Sequence, residues 1–315
     1  MTFPQFLLGS LALAVVVGGA GAVALRGVPP GGRRPVALLV LGLPPFVLTV
    51  ATAHLLGRFR TACVLPMSWE QVVTLGLLGM LWGSMLVALA VNLVRLRTTH
   101  RLLQGCPALE EPQAVQRLAL LAARLKAPIP RLRVLETHSP VALGAWLSGP
   151  AVVVSRWFLE HLDGEELEAV MAHELAHLVR RAPQVLWVAR VLRDATWYLP
   201  WSRRAFELLE AEEELEADAL AVALTGRPLA LASALGRLTE QALLASVPLP
   251  GFGSEPGWML EERLRRLLEG RARPGGVLVG SLLAGGLAAA ALQMVPSLVA
   301  DFAGALPLYC RVAPS

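Results

Sequence analysis

The sequence predicts an integral membrane protein, mainly α-helical, with a small β-sheet in a domain set between apolar spans. Three observations point there. The 315 residues are 55% hydrophobic and only 17% charged, with a mean hydropathy of +0.57, whereas a soluble domain carries roughly a quarter charged residues. Four apolar runs are long enough to cross about 30 Å of hydrocarbon as helices. Between the third and the fourth, over residues 95–274, charges and turn-forming residues return.

The predicted layout is three spans within residues 1–94 (about 3–25, 36–56 and 72–94), a domain over 95–274, a fourth span over 275–300 and a tail over 301–315. The first run carries no charge, lacks a basic stretch before it and is too long for a cleaved leader. The second holds Pro44-Pro45 at its middle, where a kink is expected. Arg26, Arg33 and Arg34 follow the first span; Arg95, Arg97 and Arg101 follow the third; Arg263, Arg265, Arg266, Arg271 and Arg273 precede the fourth. The positive-inside rule then sets the N-terminus outside a multi-pass cell membrane and the domain in the cytoplasm. The net charge of +4 is almost all arginine, with Lys126 the single lysine. Arginines gathered beside apolar runs fit contact with membrane lipids and exclude a direct nucleic-acid role. Cys63 and Cys310 both fall outside in this topology and form a candidate disulfide, provided their Cα atoms lie within about 7 Å. Cys106 falls on the reducing side.

Inside the domain, Glu111 to Ala127 reads as an amphipathic helix and "RLRVLE", from Arg131, as a half-buried strand. "VALGAW" and "AVVVS" add two strands around the Gly149-Pro150 turn. The edge expected to accept an extended peptide is the run Ala151, Val152, Val153, Val154 and Ser155. "LDGEELEAVMAHELAHLVRRAP" is a helix with Asp163 as N-cap, Glu166 at the capping-box position and Pro183 as its expected stop. Helices over about 183–198, 202–225, 228–246 and 258–270 follow. The first of these, rich in tryptophan and arginine, reads as lying at a membrane surface.

Within the capped helix, His173 and His177 stand one turn apart on one face, and Glu174 is rotated about 100° from His173. Single histidines on apolar faces are ordinarily core residues. A pair at i and i+4 with glutamate between them is what zinc requires: two imidazoles reach one ion, and Glu174 activates a water in the open position. A third ligand must come from downstream, and the acidic run "EAEEELEAD" is the only good source. Such a run is ordinarily a solvated helix face. On a helical wheel Asp218 and Glu214 lie beside the apolar stripe, Glu210 and Glu213 point away, and Glu212 and Glu216 stay possible on the opposite flank.

The sequence resembles the membrane zinc peptidases whose third ligand sits in a Glu-x-x-x-Asp motif on a later helix. Here that motif reads "ELEAD". The resemblance implies Glu214 as the ligand and Asp218 as the carboxylate that orients a zinc histidine. Within that group the likeness is to metallopeptidase family fifty-six, the antirepressor peptidases of the Bla/Mec β-lactam receptors. It is carried by "SPVALGAWLSGPAVVVS", "LDGEELEAVMAHELAH", the paired arginines after it and "WYLPW". A gluzincin-like domain between spans three and four, holding one Zn²⁺ per chain, is what the resemblance implies. Ala182 replaces an acid usual in the family, and the receptors' sensor domain after the fourth span has no counterpart before Ser315. The signal input is expected to be missing or to lie in another protein. Tyr198, Arg203 and Arg204 are the candidates for steadying the oxyanion.

The expected function is hydrolysis of peptide bonds in a cytoplasmic protein or peptide, with a winged-helix repressor as the target by resemblance. The alternatives are quality control of membrane proteins, as in the heat-shock metallopeptidases, and an inactive scaffold that keeps the motif as structure.

Overall fold

A computed structural model of the chain describes residues 3–29, 31–62, 69–245 and 257–270. These hold ten α-helices and three strands: α1 (Phe3–Ala24), α2 (Arg33–Ala62), α3 (Trp69–Gln104), α4 (Pro112–Arg124), β1 (Arg131–Leu135), β2 (Ala142–Ala145), β3 (Ala151–Ser155), α5 (Arg156–His161), α6 (Gly164–Arg180), α7 (Ala182–Ala195), α8 (Pro200–Thr225), α9 (Pro228–Ala245) and α10 (Gly257–Leu268). The expected fourth span, Cys63 and Cys310 lie outside the described residues.

The chain divides into two units. The first holds the described residues up to Asn92 together with Ala189–Leu209. Two of its apolar segments begin at Arg33 and Gln71; Arg33–Ala53 and Gln71–Gln104, the latter running on into the second unit, are long and apolar enough to cross a membrane. Helix α2 continues through Pro44 and Pro45. A Cβ built on Gly21 would stand 2.7 Å from Cγ2 of Val40, so α1 approaches α2 at glycine. Polar side chains also link its helices. Trp82 donates from Nε1 to Oγ1 of Thr52 at 3.0 Å, and Asn92 donates from Nδ2 to Oδ2 of Asp194 at 2.9 Å.

The second unit holds Leu93–Val188 and the described residues from Glu210 onward. Its core gathers Leu118 and Leu121 of α4, Val152 and Val154 of β3, Phe158 of α5, Val170, Met171 and Leu175 of α6, and Leu231 and Leu235 of α9. The sheet order is β1-β3-β2, with β1 parallel and β2 antiparallel to β3. Ala151–Ser155 is thus the middle strand, flanked on both sides, and not the edge expected from sequence. An uninterrupted apolar, β-branched run is the mark of a strand covered on both faces, and all five residues are buried. The outer side of β1 is also taken: Leu109 donates its N–H to Leu132 O, and Val134 donates to Pro107 O. Among the described residues β2 keeps an open edge.

Helix α6 begins as its sequence dictates. Asp163 Oδ1 accepts from the N–H groups of Glu165 and Glu166 at 2.8 Å each, and Glu166 Oε2 accepts from Asp163 N–H at 3.0 Å, closing the capping box. The other oxygen of Glu166 accepts from Ser233 Oγ at 2.6 Å and Arg237 Nε at 3.0 Å, which ties the start of α6 to α9. The helix ends at Arg180, before Pro183 is reached. Arg181 turns left-handed at φ 56°, and Pro183 sits in the first turn of α7, where its missing N–H costs nothing.

Candidate metal centre

The one-turn spacing on α6 brings the imidazoles of His173 and His177 edge to face, 4.6 Å between ring centres, with their Nε2 atoms 3.0 Å apart. Both residues are buried. Glu214, on α8, places Oε2 3.3 Å from His173 Nε2 and Oε1 3.4 Å from His177 Nε2. Zinc with four ligands at about 2.0–2.1 Å in a tetrahedron separates neighbouring ligand atoms by about 3.3 Å. The three observed edges match that spacing, and the donor set of two imidazoles and a carboxylate is one that zinc accepts.

The sequence-predicted carboxylate of Asp218 stands 2.9 Å from Nδ1 of His173. A hydrogen bond there puts the ring proton on Nδ1 and leaves the Nε2 lone pair facing the cluster. Burial opposes charge on His173, but Asp218 and Glu214 beside it outweigh burial and push its imidazole up to about 10. Burial also opposes charge on Glu214, yet His177, Arg263 and His173 hold its carboxyl well below the usual range. The rise at His173 reports the two carboxylates beside it, and the fall at Glu214 reports the cations and donors that face it. Glu174 behaves differently. It is buried 3% exposed beside the histidines, and burial pushes its carboxyl up. A glutamate raised in this way is suited to take up a proton and give it back.

Two arginines at this centre were not assigned to it from sequence. Arg263, counted above among the arginines before the fourth span, is fully buried. It reaches Asp218 from Nε at 2.7 Å and from Nη2 at 2.8 Å, and Glu214 from Nη1 at 3.0 Å. The signal was present: Met259, Arg263 and Leu267 recur every fourth residue and are all buried, so an arginine occupies the apolar stripe of α10. Arg180, read only as a charge in the last turn of α6, lies 3.3 Å from Glu216 and 3.6 Å from Glu213. The acidic run is accordingly no solvated face. Glu212 and Glu213 are fully buried and Glu216 is 5% exposed, which corrects the expectation that Glu213 points away. Tyr198, Arg203 and Arg204, the oxyanion candidates, belong to the first unit, where Arg203 and Arg204 each pair with Glu207 at 3.2 Å.

A buried pair of imidazoles and a carboxylate converge from two helices, with a glutamate of raised pKa beside them, and together form a candidate metal centre. The chain belongs to the BlaR1 peptidase M56 family, whose model matches residues 52–228. It is also similar to curated proteases of another name. Protease HtpX homolog 1 of Streptomyces coelicolor is 30% identical over 207 residues, 49% of this chain and 68% of the relative. The Protease HtpX homolog of Acaryochloris marina is 30% identical over 157 residues, 39% of this chain and 54% of the relative. That of Aquifex aeolicus is 37% identical over 92 residues, 29% of this chain and 30% of the relative. The chain thus spans only part of the length of the relatives it matches.

Proposed function

We propose that the chain is a zinc-dependent endopeptidase of the membrane that cuts a cytoplasmic protein, in the manner of an antirepressor. The single observation that carries the zinc is the convergence of His173, His177 and Glu214 at tetrahedral spacing. Zinc bound there would supply a Lewis acid that acidifies a water and polarises a scissile carbonyl. Glu174 takes the proton of the attacking water and delivers it to the leaving amine. Asp218 keeps His173 in the tautomer that presents Nε2.

The substrate strand adds to the open edge of β2, Ala142–Ala145. A Cβ built on Gly144 would stand 2.9 Å from Cγ of Leu178 and 3.4 Å from the backbone oxygen of Glu174. The open strand therefore lies directly against the turn that carries the base, and main-chain hydrogen bonds to it would lay a peptide along the centre.

The BlaR1 family membership favours a defined cut in a signalling substrate, with a winged-helix repressor as the target and a separate protein as sensor. The likeness to proteases named HtpX homologs favours the second reading, quality control with many cuts in damaged membrane proteins. The arginine distribution supports the domain facing the cytoplasm even with Arg263 removed from the count, since Arg265, Arg266, Arg271 and Arg273 remain.

The deciding experiment takes the full chain in detergent with a candidate repressor and with an unfolded membrane protein. Wild type should carry one zinc and make one cut in the repressor. Glu174→Gln should keep its zinc and lose cleavage by roughly 10²–10⁴-fold. Wild-type protein without zinc, or an active E174Q, would overturn the mechanism.

A further inference from the structure

Arg263 heads the fully buried side chains ranked by volume among the described residues, and it belongs to neither ligand helix. A guanidinium taken out of water is costly unless it is paired and hydrogen-bonded. Here each of its three nitrogens faces a carboxylate oxygen: Nε and Nη2 grip the two oxygens of Asp218, and Nη1 holds Oε2 of Glu214. These are the two carboxylates on which the metal set depends, one as ligand and one through Nδ1 of His173.

Resting on the zinc-peptidase reading, we propose that Arg263 is a positioning residue of the metal centre. It locks Glu214 and Asp218 into one pair of rotamers, so the centre is complete only while α10 is docked. Glu214 and Asp218 stand one turn apart on α8, where like charges repel, and without Arg263 only the two imidazoles face them among the described residues. A planar fork with several fixed donors holds both at once; a lysine, as a single flexible point charge, does not. The ligand geometry is thereby set by a residue 45 positions beyond Asp218 in sequence. Any event that withdraws α10 loosens Glu214 and the His173 tautomer together.

The test uses the full chain in detergent, with zinc affinity read by chelator competition and coordination read from the visible spectrum of the cobalt-substituted protein. R263A should lose roughly 10–100-fold in zinc affinity and show an altered cobalt spectrum at saturating metal. R263K should recover only part of the affinity, and it carries the test if R263A does not fold. Because Arg263 acts through Asp218, the R263A/D218N double variant should bind zinc no more weakly than the sum of the two losses less their overlap, well short of additivity. Wild-type affinity and spectrum in R263A, full rescue by lysine, or strict additivity with D218N would overturn the positioning role alone. A wild-type chain that binds no zinc would overturn the peptidase reading and this one with it.

Discussion

Helix α6 and the Glu210–Thr225 part of α8 build the same candidate metal centre by different means. Helix α6 carries its own instructions: an N-cap, a capping glutamate, two histidines at the right spacing and a left-handed residue to end it all lie within nineteen residues. The α8 segment carries four glutamates and an aspartate between positions 212 and 218. The helical wheel puts Glu214 and Asp218 beside the apolar stripe but does not show that Glu212, Glu213 and Glu216 are buried as well. Their partners arrive from elsewhere, Arg180 from α6 and Arg263 from α10. A cluster of acids is buried only where cations are brought to it, and those cations come from packing, not from the run itself.

The comparison can be tested where it should be most sensitive. Glu214→Ala should weaken zinc binding by roughly 10³-fold, since one of the three proposed protein ligands is lost. Glu212→Ala should leave the stoichiometry at one zinc per chain. Metal analysis after dialysis separates the two, and a zinc-free E212A would show that the wrong glutamate has been assigned. Next in size is Arg180→Ala, which removes a cation from the fully buried Glu213 and the nearly buried Glu216. A loss of roughly 2–3 kcal/mol is expected, measurable by denaturant unfolding of the metal-free protein. A neutral result would mean that the acidic run does not need its arginine.

Gly144→Val should act on catalysis more than on the metal. Its side chain would overlap Leu178 and push β2 away from the turn bearing Glu174. A fall of several-fold in kcat/KM with unchanged zinc content would fit an edge strand that presents substrate. Smallest is Asp163→Asn. The N–H groups of Glu166 and Glu165 hold the carboxyl of Asp163 below its usual 3.8. Its folded value being depressed, the charge adds stability above the unfolded value and that contribution fades as pH falls through the folded one. Thermal midpoints of wild type and D163N measured against pH should therefore differ near neutrality and converge in acid. Curves that stay parallel would remove the charge from the cap.

Much of the fold near the centre was legible. The limits of β1, β3, α4 and α9 fall within about three residues of those read from periodicity and turn residues. The centre itself was half legible. His173, Glu174 and His177 needed only helical geometry, and Glu214 with Asp218 came from resemblance to a motif. The position of β3 and the burial of Glu213 were misread for a common reason. Both were judged from composition, while an edge or a buried face is defined by what lies alongside. Arg263 was misjudged more instructively, because an arginine on an apolar stripe looks like a surface charge until two carboxylates are seen facing it.

The sequence by itself determined what depends on neighbours along the chain being neighbours in space: the capped start of α6, the approach of two imidazoles one turn apart, and two helices long and apolar enough to cross a membrane. Only the tertiary structure decided that β2 keeps an open edge among the described residues, that Glu213 and Glu216 face Arg180, and that α10 supplies the guanidinium behind Glu214. The reason is physical. A helix converts spacing into distance on its own, whereas the cost of burying a charge depends on a partner whose position no local pattern specifies.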